Sequence, residues 1–181
     1  QSDALWRVHV LGTRHVLDAA RAAGVRRAVV ASTSGTVAIS DNPSHIARED
    51  DPTPHRWITR FAYYRAKLYA EQEALSQNRD GLEVVVVNPS LLLGPGDLLG
   101  SSTGDVRDFL ARRIPAVPAG GVAYVDARDA AEGMALAMER GTAGRRYLLN
   151  GSNCTVRSFF ARLERVSGVK DPVLPMPPGA A

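Results

Sequence analysis

The chain reads as an α/β protein with a mostly parallel sheet, and three observations predict it. Arg27-Ala-Val-Val-Ala31 and Val84-Val-Val-Val87 are short continuous apolar runs, the composition of strands buried on both faces. One stretch with helical spacing of apolar residues precedes the first run, and another lies between the two. Strands that alternate with helices imply parallel pairing through crossover connections.

The elements follow in order. From about Ala4 to Ala23, Leu5, Val8, Leu11, Val16, Ala19 and Ala20 supply the apolar face of a helix that Gly24 stops. Gly12 inside it costs about 1 kcal/mol against Ala, which suggests a close packing contact. The first strand is followed by a polar loop from about Gly35 to Ile58 and by a helix from Tyr63 to about Gln77. Asp80-Gly81 marks a turn, and Asn88-Pro89 ends the second strand. A loop, SLLLGPGDLLGSSTG, leads to a helix near Asp105–Arg113, a strand at Val122–Val125 and a helix at Arg128–Arg140. Arg146–Leu149 is a short strand, and Thr155 caps a helix running to Val166.

Composition narrows the function. The chain has 181 residues, is 45% hydrophobic and 23% charged, and carries a net charge of +3, ordinary values for a globular protein. No apolar run approaches the roughly 20 residues that span a bilayer, so no membrane partner is expected. The single Cys154 excludes an internal disulfide and fits a reducing, cytoplasmic setting. The Arg pairs 26–27, 112–113 and 145–146 are isolated and lack interleaved aromatics; they read as solvated faces, and no nucleic-acid partner is expected. His45, Glu49, Asp50, Asp51 and His55 are metal-ligand types without compact ligand spacing, so no metal is expected. His9 and His15 share no ligand spacing either.

Chemistry concentrates at Tyr63 and Lys67. Lys67 and Lys170 are the only lysines against twenty arginines. A Lys kept against that bias suggests a task for a compact ammonium rather than a planar guanidinium. Four residues apart on a helix, Tyr63 and Lys67 face the same way. An ammonium beside a phenol favours the phenolate and lowers its pKa, and such a Tyr can pass a proton to or from a substrate oxygen. Ser32, Thr33 and Ser34 lie where the first strand ends, the end at which parallel sheets bind ligands. Gly94-Pro-Gly-Asp-Leu-Leu-Gly100 looks like a phosphate loop. Pro95, however, removes a backbone N–H that a phosphate needs, and no acidic residue for a ribose follows about 20 positions on.

These pieces together resemble the extended short-chain dehydrogenases/reductases, most closely the NAD-dependent epimerase/dehydratase and dihydroflavonol-4-reductase-like branch. The resemblance is carried in order by VHVLGTRHVLDAARAAGVRRAVVASTSGTVA, by Tyr63-x-x-x-Lys67 with Ala70-Glu71, by VVVVNPSLLLGPGD, by YVDARDAAEGMALAMERG and by YLLNGSNCT. It implies a partial Rossmann-like, doubly wound sheet with helices on both faces and the start of a small substrate-binding region. One domain over 1–181 is expected, Rossmann-like to about residue 100, with substrate-region segments interleaved beyond it. It also implies a small-molecule substrate, NAD or NADP as cofactor, and a Tyr63 general acid/base supported by Lys67. Thr33, with Ser34 as second choice, would orient the substrate oxygen. Tyr63, Lys67, Pro89, Ser90, Leu91 and Leu92 would neighbour the cofactor. Asp126, Arg128 and Asp129 match a pattern read as mainly structural, with support of the substrate side as the alternative.

Two departures stand out. His9 occupies a position where the family carries Asn, and the glycine-rich strand–turn–helix that opens family members is not in this sequence. The first expected strand would then present an open edge, which invites pairing with another chain, a second copy included. A protein that senses the nucleotide without catalysis, or a remnant on the same scaffold, is the competing expectation.

Overall fold

A computed structural model describes residues 2–170, 172 and 174. The backbone divides into two compact units, one of residues up to Ser90 with Ala130–Leu149, the other of Leu91–Asp129 with the residues from Asn150 on. The sequence reading gives one domain with a change of character near residue 100. The division falls earlier, and residues 130–149 return to the first unit because their strand pairs with the one ending at Pro89.

The first unit is a three-stranded parallel sheet in the order β1 (Arg27–Ala31), β2 (Glu83–Pro89), β5 (Arg146–Leu149). Alternation along β2 serves both faces. Val84 and Val86 pack with Leu17, Ala74 and Leu82, which brings α2 (Gly12–Ala22) and α4 (Ala62–Ser76) to one side. Val85 and Val87 pack with Ala137 and Met134 of α6 (Ala127–Arg140) on the other. All four valines are fully buried, each contributing roughly 1.5–3 kcal/mol. This is the doubly wound arrangement the sequence predicts.

The first helix departs from expectation. It is α-helical at α1 (Ser2–Leu5) and α2, but Trp6–Leu11 between them forms a π-helical turn. The Gly12 N–H bonds the carbonyl of Arg7, five residues back. A methyl at Gly12 would meet only that carbonyl, at an ordinary 3.6 Å, so the tight contact expected there is absent. The π turn inserts one residue into the helical register, and the buried positions become Val10 and Leu17. Val8 and Val16, assigned to the apolar face by a uniform 3.6-residue period, are exposed.

The two sheet edges differ. At β5 the backbone N–H of Leu148 donates to Glu49 Oε1 at 3.0 Å, so the loop before α3 (His55–Ile58) covers that edge. At β1 the described residues pair on the β2 side only. As an edge strand it is partly rather than fully buried.

The second unit holds β3 (Leu91–Leu93), β4 (Gly121–Asp126) and β6 (Ser152–Thr155), with β3 parallel and β6 antiparallel to β4. Phe109 of α5 (Gly104–Leu110) stacks on Phe160 of α7 (Val156–Ser167), ring centroids 5.5 Å apart. Thr155 caps α7 as expected, its hydroxyl accepting from Ser158 N at 3.0 Å. None of the described helices is long and apolar enough to cross a membrane.

Helices α2 and α4 are joined by a two-pronged pair. Arg14 Nε and Nη2 donate to Glu73 Oε1 and Oε2 at 3.0 and 2.8 Å. This pairing holds the Glu73 carboxyl down at about 2, below its ordinary 4.5. A depressed carboxyl stabilises the fold above its unfolded value and loses that contribution as pH falls through the folded one. Thermal melts should therefore show the parent chain losing more stability between about pH 4.5 and 2 than Glu73→Gln. Parallel curves for the two proteins would count against the pair.

Candidate active site

The parallel ladder of β1 and β2 ends in a cluster of polar side chains. Ser32 N donates to Val87 O at 2.7 Å, which extends the pairing one step and delivers Ser32, Thr33 and Ser34 to the strands' carboxyl end. Thr33 then caps the 3-10 turn Ser34–Thr36, accepting from Gly35 N at 3.3 Å. Its own O–H is left free to donate. Ser34 is partly exposed at the same turn.

Helix α4 lies against this turn. Lys67 Nζ donates to Ala31 O at 2.8 Å, the last carbonyl of β1. Glu71, four residues further along the same helical face, accepts from Ser32 Oγ at 2.6 Å and Thr36 Oγ1 at 2.8 Å. Tyr63, Lys67 and Glu71 thus form a stripe that passes from half-exposed phenol to part-buried ammonium to buried carboxylate. The Tyr64 ring seats directly on Gly35, where a methyl would fall 2.3 Å from Tyr64 Cε1.

The electrostatics correct one expectation. Burial, and then the neighbouring Tyr64, push the Tyr63 phenol above its ordinary value, where a lowering by Lys67 was expected. The reason is local. The Lys67 ammonium is bound to Ala31 O, and its own pKa is lowered by burial and only partly restored by Glu71. His9, carried on the π turn, meets the Tyr63 ring edge-on, with centroids 5.8 Å apart and planes at 82°. Burial first, and Lys67 second, lower the His9 pKa and favour its neutral form.

Other sequence candidates separate. Pro89 and Ser90 close the first unit, Ser90 N donating to Leu149 O at 3.0 Å. Leu91 and Leu92 open the second, paired with Tyr124 and Val125. The glycine-rich loop keeps its amides for itself: Asp97 accepts from the backbone N–H groups of Ser101, Ser102 and Thr103 at 2.8–3.1 Å. Those bonds hold the Asp97 carboxyl far below the ordinary carboxylate range. Asp126 turns back onto Arg128 N at 2.8 Å, a structural contact at the start of α6. His45 pairs with Asp51 at 3.0 Å, and no metal-binding cluster occurs among the described residues. The second unit contains a cavity of about 360 Å³ walled by Leu91, Ile114, Pro115, Val122, Phe159 and Phe160, large enough for a small apolar group.

Sequence reasoning missed three participants. Asn88, at the end of an all-apolar strand, sends Nδ2 to Glu71 Oε2 at 2.8 Å and to Thr33 O at 3.1 Å. Thr36 is fully buried between them. Arg146 was assigned to a solvated face, yet Nη1 donates to Glu71 Oε1 at 3.0 Å. A polar residue closing an apolar run is the signal that singles out Asn88.

Gly35→Ala should lower unfolding free energy by about 1–3 kcal/mol, because a methyl cannot fit without moving Tyr64 or the turn. Gly104→Ala, where a methyl meets nothing within 4 Å, should leave it nearly unchanged in the same denaturant titration. Equal stability of both variants would show that the Tyr64 seat is not tight.

Comparison with known proteins now bears on this arrangement. The family model described as the NAD dependent epimerase/dehydratase family matches residues 1–149. A putative dihydroflavonol 4-reductase of Synechocystis is 36% identical over 175 residues, covering 94% of this chain and 50% of the relative. The crystal structure of gox2253 superposes with a TM-score of 0.88 at 32% identity, over 97% of this chain and 53% of that one. DesIV of Streptomyces venezuelae, a dTDP-glucose 4,6-dehydratase with NAD bound, shares the fold at a TM-score of 0.74 and 24% identity, over 91% and 51%. The chain spans about half the length of these relatives. By the extent of the family match and the identity to its relatives, the chain belongs to the NAD-dependent epimerase/dehydratase family.

Proposed function

We propose that this chain carries the proton-transfer half of an NAD(P)-dependent oxidoreductase or epimerase site acting on a C–OH or C=O group. The observation that carries the reading is Lys67 Nζ fixed at 2.8 Å from Ala31 O, on the same helical face as Tyr63. That bond uses one of three ammonium hydrogens and leaves two for the hydroxyls of a nicotinamide ribose, so the residues present fit that end of the cofactor. Lys67 would hold the ribose, and the stretch 89–92 (Pro89, Ser90, Leu91, Leu92) would border the ring. Bound as NADH or NADPH, the cofactor would supply the hydride for reduction and, in its oxidised form, would accept it in the reverse direction.

This chain's residues then handle the proton. Tyr63, its pKa raised by burial, holds its proton at neutral pH. Tyr63 gives its proton to the substrate oxygen as that oxygen gains charge on reduction of C=O, and takes one back in the reverse direction. Thr33 Oγ1, oriented by Gly35 N, donates to the same oxygen, with Ser34 as the alternative donor. The lone Cys154 supports a reducing, cytoplasmic setting.

The test joins the 181-residue chain to a dinucleotide-binding half and follows NAD(P)H absorbance. Tyr63→Phe should lower turnover by about 10²–10⁴-fold while nucleotide binding persists. Full turnover by Tyr63→Phe would sink the mechanism; nucleotide binding without turnover in either protein would favour a sensing or remnant role.

We also propose that the open β1 edge pairs two copies of this chain. Sedimentation equilibrium should then return about twice 19.4 kDa. A monomer at every concentration would refute the pairing.

A further inference from the structure

The proton-transfer reading leaves open what holds the hydroxyl turn in register with the catalytic helix. We propose that Glu71 is the positioning residue for that turn; the inference rests on the role given above to Thr33, Ser34 and Tyr63. Glu71 is 2% exposed, and the groups found around its carboxylate are all donors. Oε2 accepts from Ser32 Oγ at 2.6 Å, Thr36 Oγ1 at 2.8 Å and Asn88 Nδ2 at 2.8 Å, while Oε1 accepts from Arg146 Nη1 at 3.0 Å. A carboxylate accepts at both oxygens, and so meets the donor-only groups Asn88 Nδ2 on one and Arg146 Nη1 on the other.

The geometry shows what the ring fixes. Ser32 and Thr36 bracket Thr33 and Ser34, and one oxygen of Glu71 binds both brackets. Asn88, bound to the same oxygen, also reaches Thr33 O. Arg146 is itself anchored, Nε donating to Glu49 O at 2.9 Å, so the carboxylate is held from β5 as well. The backbone of the turn is closed by Thr36 N to Thr33 O, and by Val37 N and Ala38 N to Ser34 O, at 2.7–3.2 Å. Glutamine in place of Glu71 keeps the shape, but turns an N–H₂ toward either Asn88 Nδ2 or Arg146, donor against donor, and the hydroxyls of Ser32 and Thr36 lose a charged acceptor. The turn loses its lock while the strands keep their ladder.

Hydrogen exchange on the 181-residue chain reads this directly. Glu71→Gln should speed exchange at amides 36–38 at least tenfold, with amides 84–87 of β2 unchanged. Glu71→Asp, which keeps the acceptor at shorter reach, should recover part of the protection. Should Glu71→Gln not fold, Ser32→Ala removes one bracket and leaves the Glu71–Arg146 pair; it should produce the same local change in smaller measure. In an enzyme joined to a dinucleotide-binding half, Glu71→Gln should lower kcat at least tenfold with KM unchanged. Unaltered exchange at 36–38, or equal acceleration in β2, would overturn the assignment. The exchange result does not depend on turnover, so it stands or falls apart from the Tyr63→Phe outcome.

Discussion

A carboxylate withdrawn from water at the end of a parallel sheet constrains everything near it. Uncompensated, its burial costs several kcal/mol, so each facing group must be a donor in good geometry. Around Glu71 those donors come from four places in the chain: the end of β1 at Ser32, the turn at Thr36, the end of β2 at Asn88 and the start of β5 at Arg146. The sheet, the turn and the helix bearing Tyr63 cannot shift separately without leaving a buried charge unpaired. The demand falls visibly on Asn88, whose amide is oriented to serve Glu71 while its buried Oδ1 finds no partner among the described residues. An orphaned acceptor costs about 1–3 kcal/mol, less than an unpaired buried carboxylate.

Much of this was legible in the sequence, for physical reasons. The Val84–Val87 run has one reading in a doubly wound sheet, and all four side chains are buried, on alternate faces. The 63/67 spacing fixes a shared helical face whatever the neighbours do. Strands β3 and β6 were not seen because Leu91–Leu93 sits in a stretch that its glycines mark as a loop and Ser152–Thr155 lacks an apolar run. Arg146 looked solvated because pairing with Glu71, 75 positions away, leaves no local trace. The direction of the Tyr63 shift was misjudged because spacing reports proximity, and it reports neither burial nor the carbonyl that captures Lys67.

The two margins of the first sheet are treated unequally. At β5 the Glu49 carboxylate takes up a backbone N–H, and Arg145 and Arg146 fasten the same loop through Asp50 and the Glu49 carbonyl. That margin cannot recruit another strand. At β1 no such device is found among the described residues, and Val29 and Val30 are only partly covered. Among the described residues, then, a covering loop is found at the β5 margin and not at the β1 margin.

The π turn at Trp6–Leu11 carries a consequence for how this helix tolerates change in length. One extra residue per wide turn amounts to a rotation of about 100° about the axis. Loss of a single residue between 6 and 11 would restore regular winding and swing everything N-terminal to it by that angle. Trp6, now edge-on to Tyr69 at 5.4 Å, would leave its neighbour, and the imidazole at position 9 would leave the phenol. The irregular turn therefore acts as a phase-setter: its length, more than the identity of any one side chain in it, decides what the helix offers to the ring beside it.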